Sequence, residues 1–315
     1  MGKYTVISGQ SLYDIALHIY GSIEGITDLL VSNPSLSLDD TLEDGQELFY
    51  SDDFEIDTDV IAWFKSQGIT PASGECKVYP KTFTLPLLAE VRIEAAQALV
   101  GMSLCGSGEI EIDWGDNSPV EHLTLNRTLQ SHVNHAFDNA VTDYRRVRIF
   151  GIPTLRAVDL TSLHPFELFL FQKMDTESFT LQDTRVDIAS LALCRNTHAV
   201  NLRGTLTEDL TPLLANLSLA ELNLDTDTLR QQTIDSYLIA LVERNFNRHN
   251  CHIILATNPS GEYQEPQRDE NGRYRITTGM GAVWVLTHEP SWNEAGPWRI
   301  TIRDKEYTYR PSDNQ

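Results

Sequence analysis

Basic residues are scarce in this chain, and in its first fifth they nearly vanish. Lys and Arg number 24 against 45 Asp and Glu, and residues 1–60 hold a single base, Lys3, against thirteen acids. A surface this negative repels phosphate polymers, so nucleic acid is excluded as a partner and anionic wall polymers are disfavoured. A basic protein surface is its complement; a plain solvated face is the other reading. Long apolar runs are missing too. None approaches the ~20 residues that cross a bilayer, so no membrane span is expected. Met1-Gly-Lys-Tyr-Thr5 lacks the apolar core of a signal peptide, which points to a chain made and first folded in the cytoplasm. The four cysteines, Cys76, Cys105, Cys194 and Cys251, are scattered. Without a CxxC or a Cys/His pair they indicate reduced, mostly buried thiols. There is no Gly-rich phosphate loop, G-x-S-x-G elbow or H-E-x-x-H pair, so no cofactor is expected.

What is present begins at once. Tyr4-Thr-Val-Ile7 is β-prone. Ser8-Gly-Gln makes a turn, and Ser11 caps a helix with Asp14 in a capping-box position. Leu12, Ile15, Ala16 and Ile19 form one apolar face, and Gly21-Ser22 ends the helix. Ile23, Ile26, Leu29 and Leu30 make a second amphipathic set that stops at Asn33-Pro34, because the residue before proline avoids the α region. Asp44-Gly45-Gln turns into the strand Glu47–Tyr50. The unit is βααβ.

Tyr4-Thr-Val, Ser8-Gly9, Ser11-Leu12, Asp14-Ile15-Ala16, Asn33-Pro34 and Asp44-Gly45-Gln46 resemble the LysM domain. The resemblance covers the whole of residues 1–50 and implies a binding unit rather than a catalyst. Many members bind N-acetylglucosamine glycans in a groove beside the first helix. Others sit in phage tails and related contractile machines, where they bind protein. Carried onto this chain, the groove comprises Ser8, Gly9, Gln10, Ser11 and Leu12 on one side and Asn33, Pro34 and Ser35 on the other. In the alternative, favoured reading, Ser11 is only a cap, Asn33 only a turn residue, and protein covers the groove.

Residues 51–80 are an acidic connector with a short helix, opened by Thr58 and Asp59 and stopped at Gln67-Gly68. Its Trp63 and Phe64 either anchor a partner or pack on neighbouring domains. Residues 81–150 alternate as strands do, at Thr82–Leu87, Ala89–Ile93 and Gly108–Asp113. Asp113-Trp-Gly-Asp-Asn-Ser118, followed by His135-Ala-Phe137, resembles the PKD-like β-sandwich, with Asn117 in place of a glycine at a left-handed turn position. Glu109, Glu111 and Asp113 share one strand face. With Asp116, His132 and His135 they make the best acid/base candidate, and Asp113, Asp116 and Asn117 the best candidate for a hard cation such as calcium. The stronger reading is an outward polar face and a turn whose Asp side chains bond their own backbone, so neither a catalytic nor a metal assignment is made.

Residues 151–257 carry a degenerate repeat. Leu160, Leu181, Leu202 and Leu224 are spaced by 21, 21 and 22 residues, with Phe171 and Leu193 near the midpoints. The pattern resembles an irregular bacterial leucine-rich-repeat solenoid, with a strand every ten to twelve residues. Ile234, Tyr237, Leu238, Leu241 and Val242 form a helix that, with the strand Cys251–Leu255, caps it. Residues 258–315 read as β-rich, with runs at Arg273–Thr277, Ala282–Thr287 and Trp298–Arg303. Trp292 and Trp298 either stack on sugar or, more readily, pack in hairpins.

The expectation is therefore a multidomain α+β chain: a βααβ LysM module, a PKD-like β-sandwich, a leucine-rich solenoid and a β-rich end. The order of modules resembles prophage proteins of Bacteroidetes-type bacteria. It implies a non-enzymatic component of a phage tail or contractile injection machine, at the baseplate or tail tip. Its partners would be other tail or baseplate proteins, and it would leave the bacterial cytoplasm assembled in a particle. The alternative is a peptidoglycan-binding or adhesion protein using the LysM groove. A hydrolase would need Glu111 and Asp113 in an open cleft.

Overall fold

A computed structural model describes all residues except 8, 39, 73–80, 138–140, 142, 245–247, 249 and 311–315. The chain is a mixed α+β protein, mostly sheet, with five α-helices among the described residues. It divides into two units, Met1–Pro80 and Lys81–Gln315.

In the first unit the order is β1 (Gly2–Thr5), α1 (Leu12–Tyr20), α2 (Ile26–Ser32), β2 (Glu47–Tyr50) and α3 (Thr58–Gln67). The two strands pair antiparallel, with Lys3 opposite Phe49 and Tyr4 opposite Leu48. The local signals explain the boundaries. Ser11 accepts from Asp14 N–H while Asp14 accepts from Ser11 N–H at 2.8 Å, closing the capping box on α1. Gly21 ends that helix at φ 71°, a left-handed position where a side chain is strained. Val6, Leu12, Ile15, Ala16, Tyr20, Leu29 and Leu48 form the core.

The segment read as a connector belongs to this fold. Ile56 and Asp57 N–H both donate to Tyr20 C=O at 3.0 Å, tying the start of α3 to the end of α1. Asp57, rather than Thr58 or Asp59, is the N-cap, and it receives Asp59 and Val60 N–H. Ile61 is buried, while Trp63 stays half exposed.

The second unit is built on one sheet. Its antiparallel part contains β3 (Leu87–Glu94), β4 (Leu99–Asp113), β5 (Glu121–Leu125), β6 (Ser131–Ala136), β7 (Tyr144–Gly151), β8 (Thr154–Asp159) and β9 (Pro165–Leu170). Strand β4 is 15 residues long and serves two sets of neighbours. Its first half pairs with β6 and β8, its second with β5 and β7. The changeover falls at a register shift beside Gly106, where a Cβ would lie 2.3 Å from Thr154 O, so only glycine fits.

From β8 a parallel ladder runs through β10 (Ser178–Thr180), β11 (Ala199–Asn201), β12 (Glu221–Leu224), β13 (His252–Leu255) and β14 (Arg299–Ile302), and antiparallel β15 (Lys305–Thr308) ends it. Val158, Phe179, Val200, Leu222, Ile253 and Ile300 stand in one row, all buried. The leucine anchors prolong the pairing: Leu160, Leu181 and Leu202 N–H donate to Thr180, Asn201 and Asn223 C=O of the next coil. Asp159, Asn201 and Asn223 each accept from the backbone two residues on, capping the turn that leaves the strand.

Five expectations are corrected here. Coil midpoints are 3-10 turns, at Ala189–Leu193 and Thr211–Ala215, so ladder strands recur every 21 or 22 residues rather than every ten to twelve. Phe166–Phe171 is not a ladder strand; as β9 it pairs antiparallel with β3, burying Leu168 and Leu170 and exposing Phe169 and Phe171. Helix α4 (Gln231–Arg244) and β13 do not close the ladder, because β14 and β15 continue it. The second of the three β runs expected near the end, Ala282–Thr287, lies in α5 (Gly279–His288), capped by Thr278 accepting from Gly281 N–H. An unbroken apolar run has no period to distinguish strand from helix. At Arg273–Thr277, Tyr274 makes only an isolated bridge to Arg268, so the last segment is mixed rather than β-rich.

Candidate functional site

The residues expected to line a groove lie in the first unit, at the start of α1 and the end of α2. Gln10 is buried, and its side-chain amide is fully engaged. Its Nε2 donates to Tyr4 Oη at 2.7 Å and to Pro71 C=O at 2.8 Å, and its Oε1 accepts from Ile7 N–H. The chain beyond α3 thus returns to the turn that precedes α1. Gly9 takes φ 81°, Ser11 is the cap of α1, and Leu12 lies in the core. Ser8 falls outside the described residues.

On the other expected side, Asn33 is buried and spends its amide on backbone. Nδ2 donates to Leu29 and Phe49 C=O, both at 2.8 Å, and Oδ1 accepts from Phe49 N–H at 2.9 Å. It welds the end of α2 to β2. Pro34 and Ser35 are exposed. Of the eight residues, then, the polar side chains of Gln10, Ser11 and Asn33 face inward partners.

The carboxylates of β4 were expected on an outward face. Glu109 is exposed, but Glu111 and Asp113 are 2% and 1% exposed, because residues 81–85 cover them. Glu111 accepts from Thr84 Oγ1 and N–H and from Leu85 N–H. The Thr84 hydroxyl bond leads in holding its carboxyl below the usual range, against the upward push of burial. Asp113 accepts from Lys81 Nζ at 2.6 Å and from Arg148 Nε at 3.0 Å. Burial pushes this carboxyl up, yet Lys81, Gly115 N–H and Arg148 together carry it below its ordinary value. Asp116 is likewise lowered against burial by Ser118 and His135. His135 Nε2 lies 2.6 Å from Asp116 Oδ2, and its ring stacks on Trp114 at 4.7 Å. His132 meets Ser103 Oγ at the surface.

This arrangement locks a turn. The left-handed residue is Gly115 at φ 78°, where a Cβ would meet Arg146 C=O; Asn117 is exposed and not left-handed. Both oxygens of Asp113 and both of Asp116 are engaged by protein donors, and no group of three His, Cys, Asp or Glu suited to a metal occurs among the described residues. Trp292 and Trp298 are buried edge to face, with no ring free for sugar. Cys105, Cys194 and Cys251 are free and buried; Cys76 lies outside the described residues. No helix among the described residues is long and apolar enough to cross a membrane.

A cavity of about 580 Å3 that sequence reasoning missed lies along the side of the ladder, lined by Phe166, Arg185, Asp187, Glu208, Asp209 and Arg230. These come from four successive coils, and no motif joins them. No family model matches this chain, and no curated protein or solved structure matches it.

Proposed function

We propose that this chain is a non-enzymatic structural component of a phage tail or phage-derived contractile injection machine, placed at the baseplate or tail tip. In this reading the first unit is a LysM-type module that docks on neighbouring subunits. The second is a PKD-like sandwich continued by a leucine-rich ladder, and it serves as a scaffold. One observation carries the reading. The groove's buried amides, Gln10 and Asn33, are spent on the module's own chain, while its outer surface combines acids with exposed Ile23, Val31, Phe49, Phe54 and Trp63. Exposed apolar side chains among charges of one sign suit a protein partner of opposite charge better than a sugar.

The test is isolation of particles from cells producing the tagged full-length chain. Recovery at fixed stoichiometry with tube, sheath and spike proteins is expected. A chain found only as a free monomer that sediments with insoluble peptidoglycan overturns the proposal in favour of the wall-binding alternative. For that arm Ser35→Ala is the informative variant, since Asn33→Ala also removes bonds that hold α2 to β2.

A further inference from the structure

The side of the ladder holds charges that the fold does not use. Arg185 and Asp187 are exposed on either side of buried Val186, in a segment that bridges parallel to Leu206 and to Glu167 of β9. Two residues apart in extended backbone, their side chains leave one face about 7 Å apart. Arg185 has no ion pair or hydrogen bond among the described residues, with Asp187 or any other group. Asp187 spends one oxygen on Ala189 N–H at 2.8 Å, and its other oxygen has no partner among the described residues. On the next coil the Glu208 carboxylate meets only Arg230, at 3.9 Å, with both side chains three-quarters exposed.

These charges open into the cavity of about 580 Å3, a volume within the ~300–1,000 Å3 of ligand pockets. A second cavity, of about 360 Å3, shares Phe166 and Arg185 with it, so Arg185 stands where the two meet. Phe166, Leu206, Thr207 and Thr228 supply apolar and hydroxyl surface between the charges. The lining selects its ligand by charge. A lone anion meets Asp187, Glu208 and Asp209, and a lone cation meets Arg185. A neutral sugar strips water from charges that it cannot pair. A ligand bearing both signs, about 7 Å apart, satisfies Arg185 and Asp187 together.

We propose that this trough binds an extended peptide segment of a partner protein that carries an acidic and a basic side chain two residues apart. The segment's carboxylate accepts from the Arg185 guanidinium. Its basic group donates to the unused oxygen of Asp187 and to the Glu208 carboxylate, and its stem lies on Phe166 and Leu206. An extended peptide repeats its side chains on one face at the spacing that separates Arg185 from Asp187. The site belongs to the second unit and stands whether or not the first unit docks in a particle.

The experiment immobilises the full-length protein and selects from a random library of end-blocked hexapeptides, with Arg185→Gln as the parallel bait. Enrichment of sequences with an acidic and a basic residue two apart is expected on the wild type and not on the variant. Calorimetry then follows the most enriched peptide. Changing its acidic residue to the amide should weaken binding to the wild type several-fold, the scale of an exposed ion pair, and should make no difference against Arg185→Gln. Asp187→Asn, which keeps the oxygen that caps Ala189, should weaken the preference for the basic residue. Both positions are exposed, so the variants should keep the wild-type Tm. No enrichment, equal enrichment on the two baits, or a peptide that binds Arg185→Gln as tightly as the wild type overturns the proposal.

Discussion

The two units differ in how completely they cover themselves. Among the described residues the first, with about a quarter of the chain, exposes eleven large apolar side chains, from Met1 to Ile69; the second, three times as long, exposes six. The first also carries fourteen acids against three bases. Its core is seven side chains, whereas the second unit buries an unbroken row from Val158 to Ile300. A small domain cannot bury all of its apolar surface, but size alone does not select Trp63, Val31 and Phe49 for the outside. The comparison teaches that the second unit covers its own apolar surface more completely than the first, which is what the proposed docking role of the first unit requires.

Substitutions at the centre of the scaffold should cost most. Leu222→Ala, in the buried row, is expected to lower stability by about 4 kcal/mol, read from chemical denaturation; a loss under ~1 kcal/mol would show a loosely packed ladder. Asp113→Ala should cost about 3 kcal/mol, because Lys81 and Arg148 lose their partner. The same carboxylates set an acid limit. Glu111, Asp113 and Asp116 all have lowered values when folded, so their contribution is complete above the unfolded value near ~4 and is lost as pH falls through the lowered folded values. A denaturation midpoint unchanged from pH 6 to pH 3 would contradict this.

Within the first unit the effects should shrink. Asn33→Ala, which removes two bonds to β2 and one to Leu29 of α2, is expected to cost about 2 kcal/mol. Ser11→Ala, which opens the capping box, should cost about 1 kcal/mol by thermal unfolding. Trp63→Ser should change stability by less than ~0.5 kcal/mol, yet reduce recovery of the chain in particles. Equal recovery of wild type and variant would remove Trp63 from the docking surface and blur the contrast between the units.

How much was legible in advance follows the same division. In the first unit the signals are local: a serine three residues before an aspartate, Gly21, Asn33-Pro34 and Asp44-Gly45 each fix a boundary within a few residues, and α1, α2 and β2 stand where they indicate. The ladder was legible while its coils kept one length. Its rows advance by 21, 21 and 22 residues and then, from Leu222 to Ile253 to Ile300, by 31 and 47. Those longer coils accommodate α4 and α5, and the period disappears. The destination of β9 was hidden because a six-residue strand carries no mark of which sheet it will join. The partners of Asp113 were hidden because Lys81 and Arg148 lie 32 and 35 residues away. The alternation of Glu109, Glu111 and Asp113 was real, but what covers that face is a property of the fold, not of the strand.

Strand β4 has a mechanical consequence. Because one ribbon is stitched into both sets of neighbours, tension applied to the parallel ladder reaches the antiparallel strands through covalent backbone instead of a sliding interface. A sheet wired this way resists shear as one piece, a property that the proposed place in a contracting machine would call on.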